Sequence, residues 1–119
     1  MAASASHRPG YLYGRRAERL VRLHLRLRGY RIVAANVHAG GSELDVVARR
    51  GGLLVVCEVK ARSAGSLGDP LEAVGPEKLR RLRRGTEALL AQRPDLALLD
   101  VAIEVAAVRG WRLERVRVD

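Results

Sequence analysis

Gly41-Ser42-Glu43-Leu44-Asp45-Val46-Val47-Ala48-Arg49-Arg50-Gly51-Gly52-Leu53-Leu54-Val55-Val56-Cys57-Glu58-Val59-Lys60 holds two Val- and Leu-rich runs joined by an Arg-Arg-Gly-Gly turn signal, the pattern of a β-hairpin. Acids and a lysine interrupt the apolar runs. A charge in a half-buried strand costs free energy unless it is paired or binds a metal, so these groups read as the lining of a site. A loop of two residues (Arg50-Gly51) or four (Arg49 to Gly52) sets residue 43 opposite 58, 45 opposite 56 and 47 opposite 54. Side chains alternate with period two. Glu43, Asp45, Glu58 and Lys60 then share one face, and Val46, Ala48, Val55, Cys57 and Val59 share the other, a core face. Diagonal neighbours across a strand pair are roughly 7–8 Å apart, close enough for Asp45 and Glu58 to hold one ion. A loop of odd length would separate the two acids.

Carboxylates held this close repel, and one of them takes up a proton unless a cation compensates. Oxygen ligands suit Mg²⁺ or Mn²⁺. Such an ion polarises a phosphoryl oxygen and acidifies water, and Lys60 projects beside it, placed to orient the attacking water. The residue types and spacing thus describe metal-dependent phosphodiester hydrolysis. Lys60 and Lys78 are the only lysines among 22 basic residues. A lysine inside a strand of so Arg-rich a chain suggests a need for a compact ammonium.

Asp45, a twelve-residue gap and Glu58-X-Lys60 resemble the PD-(D/E)XK nuclease motif, here without the Pro that often precedes the Asp. From about Gly14 onward the chain looks like the small YraN-like proteins, which are similar to archaeal Holliday-junction resolvases. The resemblance rests on Gly14-Arg15-Arg16-Ala17-Glu18, Gly29-Tyr30-Arg31-Ile32, Asn36, Glu43-Leu44-Asp45, Glu58-Val59-Lys60-Ala61-Arg62-Ser63, Gly68, Lys78 and Asp100-Val101. Ser42 departs from it where Gly is usual, and Leu67 where an aromatic is common. The resemblance implies a restriction-endonuclease-like α/β core and double-stranded or branched DNA as partner. It implies a third metal ligand, Glu18, on the first helix. A homodimer follows by analogy, because a branched junction offers two equivalent strands to a two-fold enzyme.

Composition fits a polyanionic partner. The 119 residues carry a formal charge of +9, and the isoelectric point is near 11.1. Such a balance favours nucleic acid or an acidic surface. One cysteine, Cys57, cannot form an intrachain disulfide, which points to a reducing cytoplasm. No apolar run approaches the roughly 20 residues of a membrane span, and Met1 to Pro9 lacks the apolar stretch of a signal peptide. Residues 1–13 read as a flexible tail before one domain, 14–119.

The element order reads α-β-β-β-α-β-β, a mixed sheet flanked by helices. Arg15, Arg19, Arg22 and Arg26 recur at helical spacing, with Ala17, Leu20, Leu23, His24 and Leu27 opposite. This predicts a helix over 14–28 that stops at Gly29. Strands are expected at 30–37, 43–49 and 53–61. A second helix follows from Gly75-Pro76 to Arg93, with Leu79, Leu82, Leu89 and Leu90 inward and Gly85 weakening its middle. Final strands are expected at 97–106 and 111–118, with Trp111 capping the core. His24 reads as a core histidine, and Cys57 as core.

Arg80, Arg81, Arg83 and Arg84 crowd the second helix beside Lys78. Arg15, Arg62, Ser63, Lys78 and Arg81 are the candidates for nucleic-acid contact, with the loop from Ser63 to Pro70 at the mouth of the site. Few aromatics are interleaved with them, which favours duplex backbone contacts over a stacking platform. Simpler roles compete. Glu18 can pair with Arg22 along the helix, Glu43 can meet a nearby Arg, and Tyr11 and Tyr13 can anchor the tail or stack on bases. Two alternatives to a Mg²⁺-dependent endonuclease stay open: a non-catalytic nucleic-acid-binding module, and a protein-interaction subunit that keeps the fold.

Overall fold

The computed structural model describes residues 9–62 and 74–119, with side chains from Gly14 onward. Ser63, Leu67, Gly68 and the rest of the loop to Pro70 lie outside the described residues, as do the side chains of Tyr11 and Tyr13.

Helix α1 spans Pro9–Leu27, followed by strands β1 (Arg31–Ala39), β2 (Ser42–Arg50) and β3 (Leu53–Arg62). Helix α2 (Pro76–Gln92), a 3₁₀ turn (Pro94–Leu96), β4 (Asp100–Arg109) and β5 (Arg112–Arg117) complete the order. Helix α1 begins at Pro9 rather than at 14, because proline at a first helical position gives up an N–H that has no partner there anyway. It stops at Gly29, whose φ of 88° suits glycine. The strand expected from 97 begins at Asp100 instead. Pro94 turns the chain into the 3₁₀ segment, Leu96 plugs the core, and the Asp100 N–H donates to the Gly52 carbonyl at 2.9 Å as the ladder opens.

The sheet order is β1-β2-β3-β4-β5, with β3 and β4 parallel and the other neighbours antiparallel. The fold is therefore α/β, a five-stranded mixed sheet between two helices. On one face Ala17, Val21 and Leu25 of α1 pack on Val46, Ala48, Val55, Cys57, Ala106 and Val108. On the other, Leu82 and Leu89 of α2 pack on Leu44, Val47, Leu54, Val56 and Ile103. The expected core face of the hairpin is thus present, and it belongs to α1. Cys57 is buried within it, and burial pushes its thiol up to about 12.

The inward stripe of α1 differs from the expected one. Val21 and Leu25 are fully buried, whereas Leu23 is 51 % and Leu27 75 % exposed. Both stripes are apolar. Ala17, Val21 and Leu25 stack at i, i+4 and i+8, and the small Ala17 lets the helix lie close to the sheet. Half-buried His24 borders Arg28, Arg115 and Glu104, and burial lowers its pKa. Trp111 does not cap the core but is 86 % exposed in the β4–β5 turn.

Gly85 proves to be a point of close approach. A Cβ there would lie 3.2 Å from the Ala39 carbonyl oxygen, Leu44 Cδ2 and Ser42 Cβ. Gly85→Val is expected to cost about 1–3 kcal/mol by overpacking, read as a lower urea midpoint at unchanged m value. A glycine that merely weakened an exposed turn of helix would show a neutral or stabilising substitution instead.

Candidate active site

The β2–β3 hairpin turns on Gly51-Gly52, with Arg50 paired to Leu53 and Arg49 to Leu54. The register is therefore two residues from the expected one, with Val47 opposite Val56 rather than Leu54. An even shift preserves which face each residue takes. Continuing past the last pair, Val46 and Cys57, sets Asp45 level with Glu58 instead of diagonal to it.

At that point the strands part. The β2–β3 ladder ends at Val46–Cys57, while β3 stays paired with β4 as far as Arg62–Arg109. The Val59 N–H, left without a ladder partner on β2, donates to Asp45 Oδ2 at 2.9 Å. Alternation along β2 slips here as well, since Leu44 packs with α2 and Val46 with α1. Across β1, Asn36 lies between the pairs Ala35–Val46 and Val37–Leu44, with φ of 51°. A left-handed backbone is uncommon outside glycine, asparagine being a tolerated exception, and such strain gathers at functional sites. The slip also corrects one expectation. Glu43 does not share the face of Glu58 and Lys60; it is exposed opposite His38 and forms no ion pair with a described residue.

Glu58 is 5 % exposed. Its Oε2 lies 3.4 Å from Lys60 Nζ and 3.0 Å from Lys78 Nζ. Lys78, expected to track phosphates, instead reaches into the fork from the first turn of α2. Asp45 is pushed up to about 7, chiefly by burial and then by the Glu58 charge. The Val59 amide opposes the rise, while a carboxyl–carboxylate hydrogen bond with Glu58 and the charge of Glu18 add to it. The Asp45 carboxyl thus keeps its proton well above the ordinary range, while two ammoniums stand at Glu58 and, among the described residues, none pairs with Asp45.

Glu18 approaches from α1. It lines a polar cavity of about 150 Å³ with Arg15, Arg19, Arg22, Ala35 and Asn36. Arg62 ends β3 half-buried and donates to the Ala61 carbonyl at 3.0 Å. Arg81 is exposed on α2, where its neighbour Arg80 is tied to Glu77 at 2.8 Å. The fork therefore brings together Asp45, Glu58, Lys60 and Lys78, with Glu18 and Arg15 at one side. Among the described residues no three His, Cys, Asp or Glu stand close enough together to hold a metal ion. Asp45 and Glu58 still fit one as a pair, because Mg²⁺ commonly takes one or two carboxylates and completes its shell with water and phosphate oxygens.

One half-buried polar cluster gave no signal in the sequence. Glu104 of β4 receives Arg115 of β5 at 2.7 Å, and Arg115 also donates to the Tyr30 hydroxyl at 3.2 Å. The Arg50 guanidinium lies 4.5 Å from the Tyr30 ring centre and that of Arg115 5.0 Å. The cluster ties β4 and β5 to the end of α1. Only the pairing of two strands far apart from Tyr30 in sequence reveals it.

Among the described residues no helix is long and apolar enough to cross a membrane. The model of the family described as uncharacterised protein family UPF0102 matches residues 17–116. A UPF0102 protein of Paramagnetospirillum magneticum is 39 % identical over 94 % of this chain and 88 % of its own length. Another, of Parvibaculum lavamentivorans, is 44 % identical over 85 % of this chain and 76 % of its own. A third, of Acidothermus cellulolyticus, is 46 % identical over 77 % and 68 %. The matched span covers both helices' packed faces, the fork with Asp45, Glu58 and Lys60, and most of β5, and the chain belongs to the UPF0102 family.

Proposed function

We propose that this protein is a Mg²⁺- or Mn²⁺-dependent endonuclease of the PD-(D/E)XK type, acting on double-stranded or branched DNA in the cytoplasm. The observation that carries this reading is the meeting of Asp45, Glu58 and Lys60 at the fork between β2 and β3. Asp45 and Glu58 would hold the ion as a pair, and Glu18, on α1, would add its negative charge from the side. When bound, the ion supplies a Lewis acid and lowers the pKa of water. The Val59 amide fixes the Asp45 carboxylate, and the Lys60 and Lys78 ammoniums fix that of Glu58. Lys60 is left beside the fork to orient water against a phosphate. Arg15, Arg62, Ser63 and Arg81 are the proposed backbone contacts, and the net charge of +9 supports them. A two-fold dimer on a junction remains part of this reading.

The test is nicking of labelled junction, flap and duplex DNA with and without Mg²⁺ or Mn²⁺. Lys60→Met should lower the nicking rate by at least about 10²-fold while DNA binding changes little. Equal nicking by the variant would remove Lys60 from the chemistry.

The engagement of Glu58 by two ammoniums favours a second reading, a nucleic-acid-binding module that works without metal. It predicts binding that weakens steeply with salt and no product with either ion.

A further inference from the structure

Helix α1 carries a second apolar stripe. Leu20, Leu23 and Leu27 recur at i, i+3 and i+7 beside the buried Ala17-Val21-Leu25 stripe; Leu20 is half-buried against the core, and Leu23 and Leu27 are exposed. Trp111 stands opposite them in the β4–β5 turn. Between helix and turn opens a groove of about 550 Å³ with Leu20, Leu23, Val108 and Trp111 among its lining residues. Arg16, Arg19 and Arg26 complete its rim. None of these three arginines forms an ion pair with a described residue.

A contiguous exposed apolar patch with a charged rim marks an interaction surface, and Trp and Arg are the residue types that dominate binding energy at such surfaces. The rim decides the occupant. A second copy of this chain, seated through the same face, would bring two arginine rims together. A nucleic-acid backbone has phosphates for the rim but no aliphatic groups for the floor. The complement is a segment with apolar side chains along one face and carboxylates beside them, which an amphipathic helix supplies at the spacing of Leu20, Leu23 and Leu27. We propose that this groove docks an acidic amphipathic helix of a partner protein, its apolar face on Leu20, Leu23 and Trp111 and its carboxylates on Arg16, Arg19 and Arg26.

Trp111 is the only tryptophan of the chain, so its emission reports on the groove. The probe is a synthetic helical peptide with Leu on one face and Glu on the flanks, beside a copy with Lys in place of Glu. The acidic peptide should shift Trp111 emission to the blue and saturate. Leu23→Glu and Arg19→Glu should each weaken it roughly tenfold or more, as should the change of probe. Both positions are exposed, so the variants should melt like the parent. Should Leu23→Glu fail to fold, Arg19→Glu and Trp111→Ala, the latter read with a dye-labelled peptide, carry the same test. Equal binding of the Lys peptide, or binding untouched by the variants, overturns the proposal. So does a blue shift that grows with protein concentration alone, which would assign the groove to a second copy, or one produced equally by duplex DNA.

Discussion

Asp45→Asn is expected to raise the stability of the metal-free chain near pH 8 while abolishing metal-dependent nicking. The folded chain holds the Asp45 proton up to about 7, whereas the unfolded chain releases it near the ordinary 3.8. Above the higher value both states are ionised, and the folded one bears a buried charge beside Glu58. As pH falls from about 7 toward 3.8, the folded state takes up the proton first and this group's contribution to stability rises. The full difference corresponds to at most about 4 kcal/mol, part of it shared with Glu58. Asparagine keeps an oxygen acceptor for the Val59 N–H and removes the charge. Its advantage should be largest near pH 8 in chelator, a gain of several degrees in thermal midpoint, and should vanish near pH 4. Excess Mn²⁺ should reverse the order, because only the parent gains binding energy. Asparagine that destabilises the chelated protein near pH 8 would show that Asp45 is already compensated by another group.

Leu25→Ala should destabilise far more than Leu23→Ala, although the two leucines are neighbours on one helix. Leu25 is fully buried between α1 and the sheet, and Leu23 is 51 % exposed. A buried Leu→Ala change costs about 2–5 kcal/mol through lost burial and a cavity. The exposed one should stay within about 1 kcal/mol. Denaturant melts of both variants decide between the two faces of the helix. Equal losses would return Leu23 to the core and close the groove beside Trp111.

How much of this was legible in the sequence depended on which physical rule governed each position. Period-two alternation placed Val46, Ala48, Val55, Cys57 and Val59 on a core face, and an even register shift could not disturb that. The turn itself was ambiguous, since Arg50-Gly51 and Gly51-Gly52 both favour a hairpin, and only the pairing of β2 with β3 separates them. Glu43 was misplaced because alternation slips at Asp45, level with Asn36 and its positive φ, a distortion no spacing rule records. The face of α1 was misjudged because two leucine-containing stripes compete, and the sheet selects the one with the smaller Ala17 and Val21. Gly85 looked like a weak point until the β1–β2 hairpin was seen to press on it. Lys78 was set aside for phosphates because its contact with Glu58 depends on how the N-terminus of α2 meets the fork. The acids and Lys60 stood out because a charge in a buried strand needs a partner or an ion.

Calorimetric titration of the full chain with Mn²⁺ near pH 8, parent beside Asp45→Asn and Glu58→Gln, tests the carboxylate pair most directly. One ion per chain should bind the parent, whose Asp45 is already ionised at this pH, and neither variant should give a saturable heat. No heat from the parent, or an equal isotherm from the Asp45 variant, would contradict the assignment of the fork as a metal site.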